Sequence, residues 1–521
     1  MDTQVAAFSV LDEPWLPVRM LDGGARELGL LEVFERSGEI AALAESSPPG
    51  LIAQYRLLLA ITHRALSRSH GTWKDKDRAQ WHRDGLPLAA IRDYLEHWRE
   101  RFWLFHPYQP FMQVAALAGA EETRDKLKPW TQISLASANG NAPVVFDHSC
   151  DAAPGLIEAA EALRILLGFL QFTPGGLVKT LRDSDKAGAL ANTAAVLPLG
   201  GSLARTLCLA LHTPTPAGHD DLPAWERMLP SVAQLRSEPE LASGPNDRYT
   251  RLSRAVLLQC TGQGQVQWLR FAAGLALGDD PNAPDPMACY RAGSNGLVRL
   301  SFIAGRAFWR DLPALVPDAE GQASLPAAVL GQAINLHAQF SFQRVEQPLL
   351  VAGLASDQAK LLRWRSECIA LPAVLLAEPQ RAQDLRDLMR KAEELFDDLR
   401  KIAIGMIAET LPDPKSKDTR ARARSLFAAG PATALFFSIV ERTLGRALQA
   451  LAEDDHEQAE TLWVQALRTA AEESWVVLFD GLGRSPAALR AEAGAYPRFR
   501  ALLRDELPAA DSTIPALEAH S

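Results

Sequence analysis

After Pro379 the chain carries apolar residues at a regular spacing of three and four, and this pattern restricts the fold more than any other feature of the sequence. The spacing places apolar side chains on one face of an α-helix. The first stripe covers residues 385–406 and ends before Pro412 and Pro414, because proline cannot continue a helix. Further stripes cover residues 435–451 and 459–470, and a weaker one begins at Ser485. Four one-faced helices with short connections predict an antiparallel four-helix bundle over residues 380–521.

Residues 1–379 have a different sequence pattern, in which glycine and proline interrupt short apolar runs. Two longer stretches, 51–66 and 156–172, have the apolar spacing of helices, and residues 51–66 place this spacing on one face. Strand-like runs such as 256–259 and 297–302 are short and scattered, which favours a mixed domain over a repeating βαβ array. We therefore predict an α+β fold, with a large mixed N-terminal domain over residues 1–379 followed by the four-helix bundle.

Composition narrows the class of protein. A chain of 521 residues that is 47% hydrophobic and 22% charged can form a large core, so disorder is excluded as the main state. The formal charge of −9 argues against coating nucleic acid by bulk charge but leaves local contacts open. The sequence has neither a run of about 18 uncharged apolar residues nor a basic N-terminal cluster. We expect a cytoplasmic protein with no membrane partner.

The usual sequence signals of catalysis are missing. The chain has no HExxH, GxxxxGK[ST] or GxSxG motif and no GxGxxG after a strand, and none of its histidines form an i,i+4 pair. Its five cysteines lie at least 29 residues apart, so no CxxC pair is available for zinc. We therefore predict no catalytic residue, no metal site and no cofactor. A hydrolase with dispersed catalytic residues, using His106 or His148 as the base, is an alternative.

A long Asn, Gly and Ser segment covers residues 134–154 and carries Asn141, Phe146, Asp147 and His148. Its aromatic side chain could stack on a nucleobase, and its polar residues could hydrogen-bond to a nucleotide. The alternative is an ordinary surface loop with Phe146 in the core.

The glycine loop, TPGGLVK at residues 173–179, follows an apolar helix. Gly175 and Gly176 permit positive φ and a close approach of another backbone, and Lys179 could contact a phosphate. A helix-ending turn needs the same proline and glycine residues.

Residues 350–365 form a third candidate. Here Gly353 is expected to break the chain before a polar tip at 356–358, with Lys360, Arg363, Arg365 and the more distant Arg381 behind it. A long amide side chain at such a tip can enter a base step. The alternative is a loop in which Asp357 caps a following helix.

The densest basic run covers residues 415–424 and is expected in the first connection of the bundle. On a helix Arg420, Arg422 and Arg424 would spread around the axis, whereas in a loop they could converge on phosphates together with Lys415 and Lys417. A solvated charged turn is the alternative.

Taken in order, these segments resemble the CasA family, the large subunit of the type I-E CRISPR surveillance complex called Cascade. The resemblance covers nearly the whole chain and rests on the order and spacing of loosely matching motifs. They are FSVLDEPWLPV (8–18), YRLLLAITHRAL (55–66), FHPYQPFMQV (105–114), NAPVVFDH (141–148), TPGGLVK (173–179), NDRYTRLSRAVLL (246–258) and LVAGLASDQA (350–359).

The resemblance implies a subunit without catalytic activity that recognises a protospacer-adjacent motif (PAM) in double-stranded DNA and begins its unwinding. The implied partners are the other Cascade subunits, the CRISPR guide RNA, the target duplex and a separate helicase-nuclease. A scaffold subunit that never touches DNA is a second alternative.

The resemblance also implies roles for single residues. Gln358, flanked by Asp357 and Ala359, matches the wedge that parts the first target base pair, and Asp357 stands where the family carries asparagine. Gly175 and Gly176 match the loop that approaches the PAM minor groove, with Lys179 beside them. The stretch 266–275 lacks the family's lysine, and Arg270 is its substitute.

Two further sets of residues take their roles from the family. Asn141, Phe146, Asp147 and His148 match the loop that contacts the 5′ end of the guide RNA, with His148 in place of an asparagine. The candidates for guiding the displaced DNA strand are Lys415, Lys417, Arg420, Arg422 and Arg424.

Overall fold

The computed structural model describes residues 8–136, 153–176, 178, 180–214, 220–294, 296–340, 345–357 and 360–507, with only the backbone described for 355–357 and 360–363. The chain divides into two compact units. Unit 1 contains residues 1–304 and 320–376, and unit 2 contains residues 305–319 and 377–521. The short segment 305–319, which carries no helical stripe in the sequence, thus packs with the C-terminal helices.

The described residues of unit 1 form four small antiparallel sheets, with the strand orders β2-β1-β3, β10-β9-β11, β13-β12-β6 and β4-β8-β5. In the last of these sheets β7 also pairs with β8. The strands of unit 1 are β1 (Leu16–Met20), β2 (Ala25–Leu28), β3 (Ile40–Leu43), β4 (Lys128–Pro129), β5 (Ile157–Glu158), β6 (Ala194–Pro198), β7 (Arg254–Cys260), β8 (Gln265–Ala273), β9 (Tyr290–Gly293), β10 (Gly296–Arg299), β11 (Ser324–Leu325), β12 (Glu346–Asp357) and β13 (Lys360–Pro372).

The helices of unit 1 lie between these strands. They are α1 (Leu30–Glu35), α2 (Pro48–His70), α3 (Asp75–Asp84), α4 (Leu88–His97), α5 (Ala159–Phe172), α6 (Leu203–Ala210), α7 (Val232–Leu235), α8 (Pro245–Thr250), α9 (Ala328–His337) and α10 (Ala373–Ala377). Four short 3₁₀ helices cover Arg99–Arg101, Ala115–Ala118, Trp130–Ile133 and Ala224–Glu226. The mixed α+β class is therefore confirmed.

Helix α2 is the centre of unit 1. Ser47 caps it by accepting a hydrogen bond from the Gly50 N–H, and prolines occupy its first positions, where a missing N–H costs nothing. The sequence pattern places one apolar face on this helix, but the structure buries nearly every residue from Pro48 to Leu66. A helix covered on all sides must satisfy its polar side chains inside the protein. The Nη1 and Nη2 atoms of Arg56 do so by donating to Asp285, at 3.3 and 2.8 Å between fully buried side chains.

Two buried histidines, His63 of α2 and His212, stack against each other. The rings of His63 and His212 lie 3.8 Å apart between centroids, at an interplanar angle of 17°. His63 donates from Nε2 to the Thr213 carbonyl at 3.2 Å and accepts at Nδ1 from the Asn246 amide at 2.9 Å. Neither ring nitrogen of His212 has a hydrogen-bond partner among the described residues. Burial lowers the pKa of His63 to about 4 and that of His212 well below its usual value, so both rings are neutral.

Unit 2 contains five helices in its described part, not the four expected. They are α11 (Pro379–Glu409), α12 (Lys417–Ala429), α13 (Ala432–Ala452), α14 (His456–Leu482) and α15 (Pro486–Glu506). The four apolar stripes lie in α11, α13, α14 and α15, and α12 lies in the expected first connection. No single described helix is long and apolar enough to cross a membrane, while α12 and α13, bent by 44°, meet that test of length and composition only as a pair.

Segment 305–319 completes the core of unit 2 with a 3₁₀ helix, Phe308–Ala314. Trp309 packs edge-on against Phe437 of α13 and Trp463 of α14, with ring centroids 6.1 and 6.2 Å apart. Arg310 forms a bidentate pair of 2.8 and 2.6 Å with Glu393 of α11. The Trp309 ring and the bidentate Arg310–Glu393 pair therefore connect this segment to α11, α13 and α14.

We expect the stacked histidines to make the protein sensitive to acid. Both take up protons near pH 6.5 in the unfolded chain but remain neutral when folded, so the unfolded state binds more protons below pH 6.5. Stability should therefore fall as the pH drops from about 6.5 towards 4, by about 1.4 kcal/mol for each unit of pKa difference. His212→Phe removes one of these groups and should flatten the dependence of the urea midpoint on pH in this window.

The matched control is His97→Phe, because His97 is an exposed residue in the last turn of α4. This change should leave the pH dependence as it is in the parent protein. An equal slope in the His212→Phe variant and the parent protein would contradict the assignment to the stacked pair.

Candidate nucleic-acid interface

Strands β12 and β13 form the longest hairpin of the described chain. Their antiparallel register runs from Glu346 opposite Pro372 to Asp357 opposite Lys360, with an irregularity between Ala355 and Ser356. The expectation that Gly353 breaks the chain is wrong, as is the alternative of a helix capped by Asp357, because β12 continues through Gly353 to Asp357. The sequence misleads here since an interior glycine usually weakens a strand.

The outer part of this hairpin extends beyond its sheet. The third strand, β6, pairs with β12 only from Leu349 to Gly353. Beyond Gly353, β12 and β13 continue as a two-stranded ribbon for about 13 Å, at about 3.3 Å per residue. Gln358 and Ala359 connect the two strands and lie outside the described residues, and Asp357 is the last residue of β12.

Gly353 is a point of close backbone approach. A Cβ atom at this position would lie 2.1 Å from the Thr193 carbonyl oxygen and 3.4 Å from the Phe172 ring. Phe172 ends α5 and immediately precedes the glycine loop. The absence of a side chain at Gly353 therefore lets the hairpin pack against the segment that leads into that loop.

The two glycines of the glycine loop differ in their surroundings. Gly175 faces the protein, since a Cβ there would lie 3.2 Å from the Ala187 nitrogen. Gly176 has a φ of +150°, and a Cβ added there would meet no atom within 4 Å, so it borders open space. Its N–H and carbonyl pair with the carbonyl and N–H of Asp185 at 3.0 and 2.8 Å. The structure thus holds an exposed, side-chain-free stretch of backbone in place, while Lys179 lies outside the described residues.

Arg270 is occupied within the protein. It lies in β8 opposite Leu257 of β7, and its guanidinium donates two hydrogen bonds of 3.2 and 3.0 Å to the Arg124 carbonyl. Its role as substitute for the family lysine stays a prediction, and this role would require these bonds to be exchanged.

The polar segment with Asn141, Phe146, Asp147 and His148 lies outside the described residues. The residues that flank this segment are linked, because the indole N–H of Trp130 donates to the Gly155 carbonyl at 2.9 Å. Beside the residues that lead into it is a cleft of about 240 Å³. The residues lining this cleft include Trp130, Ser134, Arg164 and Trp364.

The basic run does not form an irregular connection. Ser416 caps α12 by accepting from the Thr419 N–H at 3.1 Å, and Lys417 to Arg424 lie on the helix. At 100° per residue Lys417, Arg420 and Arg424 share one face, and Arg422 lies on the opposite side. Of the two conformations considered, the run adopts the helix, and the alternative of a charged turn is wrong for all of the run but its first residues, Lys415 and Ser416.

These cations are exposed and available. Lys415, Lys417, Arg420, Arg422 and Arg424 are all exposed, and the described residues offer none of them an ion-pair partner. In contrast, Arg390, Arg400 and Lys401 on α11 pair with aspartates of their own helix. Helix α12 thus carries the cations Lys417, Arg420, Arg422 and Arg424 against one carboxylate, Asp418, on a chain of formal charge −9.

His106 has a local structural role. Its Nδ1 accepts hydrogen bonds from the backbone N–H groups of Tyr108 and Gln109, at 3.1 and 3.0 Å. The nitrogen that a catalytic carboxylate would orient is therefore used to close a turn. Among the described residues no group of three or more His, Cys, Asp or Glu side chains is placed to hold a metal ion.

Comparison with known families shows the class of this protein, which is a CRISPR-associated protein. The sequence pattern of the family described as CRISPR-associated protein Cse1 matches residues 10–474. The chain is 34% identical over 510 residues to CRISPR-associated protein CasA/Cse1 of Thermus thermophilus, covering 95% of this chain and 97% of the relative. The chain belongs to the Cse1 (CasA) family.

Solved structures agree with this assignment. The structure of Thermus thermophilus CasA (Cse1) has a TM-score of 0.80 at 31% identity, covering 96% of this chain and 99% of that one. A chain of a CRISPR RNA-guided surveillance complex has a TM-score of 0.73 at 23% identity, covering 95% and 99%. The second likeness shows the fold alone.

We expect Gly353→Ala to loosen the hairpin. The added methyl group must displace the Thr193 carbonyl, and overpacking of this kind costs roughly 1–3 kcal/mol. The midpoint of urea unfolding should fall accordingly. Gly331→Ala is the control, because Gly331 is exposed inside α9 with no atom within 4 Å of an added Cβ, and alanine there should stabilise by roughly 0.5–1 kcal/mol. Equal effects of the two changes would contradict the close approach at Gly353.

Proposed function

We propose that this protein is the large subunit of a type I-E Cascade ribonucleoprotein, that it recognises the PAM in double-stranded DNA, and that it starts the unwinding that leads to an R-loop. It acts without catalysis of its own, in the cytoplasm, together with the other Cascade subunits and the guide RNA. Support comes from membership of the Cse1 family and from the likeness to a chain of an RNA-guided surveillance complex.

The observation that carries the proposal is the projecting ribbon of β12 and β13. A two-stranded ribbon whose connection is formed by Gln358 and Ala359 is a suitable wedge, because only two strands continue past the point where β6 ends its pairing with β12. At Gly353 the base of the ribbon packs against the Thr193 carbonyl and beside the ring of Phe172, which ends α5 just before the glycine loop. The wedge and the loop can therefore act on neighbouring parts of one duplex.

The energetic demand on this subunit is moderate. Parting one base step costs a few kcal/mol, which contacts to the PAM and to phosphates must offset. Backbone that approaches the minor groove closely, as Gly175 and Gly176 would, reads a pattern that is degenerate between A·T and T·A. We infer a tolerant PAM preference, which Asp357 adjusts from the end of β12.

The other candidate residues complete this proposal. Asn141, Phe146, Asp147 and His148 contact the 5′ end of the guide RNA and seat the subunit in the complex. Lys179 and Arg270 add positive charge beside the PAM. Helix α12 guides the displaced strand, and the helices of unit 2 recruit the helicase-nuclease.

Two variants of the assembled complex should separate docking from opening. Gly176→Asp places a side chain and a negative charge against the groove, so PAM-dependent binding should fall to that of a duplex without a PAM. Gln358→Ala should change the affinity for a short PAM duplex by no more than about threefold, but weaken opening of a matched target by about tenfold or more, since it removes the wedge. Gel shifts report the binding, and 2-aminopurine fluorescence at the first target base pair reports the opening.

Gly71→Asp is the control for the first variant, because Gly71 also has a positive φ and open space around it but follows the far end of α2. It should leave PAM binding unchanged. Normal DNA binding and opening by both Gly176→Asp and Gln358→Ala would favour a scaffold subunit. Guide-independent turnover that is lost on changing His106 or His148 would favour the hydrolase.

We expect the basic face of α12 to contribute to binding of single-stranded DNA. Changing Lys417, Arg420 and Arg424 to glutamine removes three phosphate contacts, which should reduce the slope of log K against log salt for an opened target by roughly two. The control changes Arg390, Arg400 and Lys401 to glutamine, because this removes the same charge from cations that are already paired. Equal losses of salt dependence in the two triple variants would show that only net charge matters.

A further inference from the structure

The glycine loop is held by a buried ion pair that no sequence motif indicates. Two arms of backbone meet here, residues 173–176 and residues 185–188. The Gly188 N–H donates to the Thr173 carbonyl at 2.8 Å, and Gly176 and Asp185 pair through both of their backbone groups. Arg254, the first residue of β7, contacts both arms from inside the protein.

The guanidinium of Arg254 makes a different bond to each arm. Its Nη2 donates to the Pro174 carbonyl at 2.6 Å, and its Nη1 donates to the Lys186 carbonyl at 2.7 Å and to the Asp185 carboxylate at 3.0 Å. The side chains of Arg254 and Asp185 are 3% and 0% exposed. Arg254 therefore acts on the loop only from behind and has no surface with which to contact DNA.

Asp185 connects the same assembly to its surroundings. Its carboxylate also accepts from the Gly274 N–H at 2.9 Å and pairs with Arg182 at 2.8 Å. The loop thus takes its position from β7, from the end of β8 and from the residues that follow α5. This matters because Gly175 and Gly176 have no side chains with which to anchor themselves.

Only arginine suits this position. A planar guanidinium offers five N–H donors in fixed directions, whereas a lysine ammonium can satisfy the carboxylate but cannot also reach carbonyls on two sides. Arg254→Lys therefore keeps the charge of the pair and loses part of the connection between the two arms. That makes it a test of position with little change in electrostatics.

We propose that Arg254, paired with Asp185, is a positioning residue that holds the glycine loop at the distance from the duplex which makes binding depend on the PAM. This inference rests on the proposed function. A loop that reads a groove by close approach of bare backbone discriminates only while its position is fixed, because small shifts exchange a contact for a gap or a collision. Weakening the Arg254–Asp185 pair (the clamp) should therefore reduce the discrimination between duplexes with and without the PAM more than it reduces the affinity for DNA in general.

The experiment compares the assembled complex carrying Arg254→Lys with the parent complex. The preferred PAM is first selected from a randomised library with the parent complex, and affinities are then measured for that duplex and for one with a scrambled PAM. The ratio of the two affinities should fall by about tenfold or more, as expected for the loss of charge-assisted hydrogen bonds. Affinity for the scrambled duplex and its salt dependence should stay unchanged.

Arg251→Lys is the matched control. Arg251 is as buried as Arg254, pairs with Asp247 at 2.8 Å and donates to the carbonyls of Leu275 and Ala276, so it makes no bond to either arm of the glycine loop. It should lower stability in a similar way and leave the ratio unchanged. A ratio unchanged in Arg254→Lys, or lowered equally in both variants, would overturn the inference.

Should Arg254→Lys fail to assemble, Asp185→Asn weakens the same clamp from its other side and should lower the ratio too; an unchanged ratio there would also overturn the inference. Failure of the proposed function is distinguished by the parent complex itself. If that complex selects no PAM and Gly176→Asp changes nothing, the proposed function fails. If PAM selection is lost in Gly176→Asp but kept in Arg254→Lys, only the positioning role of Arg254 is overturned.

Discussion

Buried arginine side chains that bind backbone carbonyls are the interactions on which the structure of unit 1 depends. The unit has short strands and long connections, so many of its carbonyl groups have no partner in a sheet or helix, and each such buried group must be satisfied. Arginine is suited to this task because its guanidinium stays protonated and carries five donors. Carbonyls bound in this way include those of Leu211 (Arg78), Leu275 and Ala276 (Arg251), and Pro174 and Lys186 (Arg254).

This use of arginine explains how an acidic protein could carry out the proposed function on nucleic acid. Most of the 54 basic residues are arginine. The buried ones include Arg56, Arg78, Arg248, Arg251, Arg254 and Arg386. Under the proposed function, the surface that contacts the duplex would consist of bare backbone at Gly175 and Gly176 and of the narrow ribbon, with unpaired cations on α12. Affinity from phosphate contacts and discrimination from backbone position then reside in different parts of the chain.

Much of the helical structure could be predicted from the sequence, since α2, α5, α11, α13, α14 and α15 each carry local apolar periodicity. The failures have local causes too. Helix α12 buries only Ala423 and Phe427 among exposed charged residues, so it has almost no stripe. The sequence pattern does not reveal the hairpin, because Gly353 has the local signature of a chain break. A glycine is required there by the close approach of the Thr193 carbonyl, which lies 160 residues away in the sequence.

The sequence by itself determined the mixed class of the fold, the positions of the long helices and the family, because these follow from periodicity and motif order along the chain. Only the tertiary structure decided that β12 and β13 project beyond their sheet, that segment 305–319 joins unit 2, and that Arg254 and Asp185 hold the glycine loop. Those features arise from contacts between residues far apart in sequence. A local pattern records which residues form a helix, but it does not record which distant carbonyl a buried guanidinium reaches.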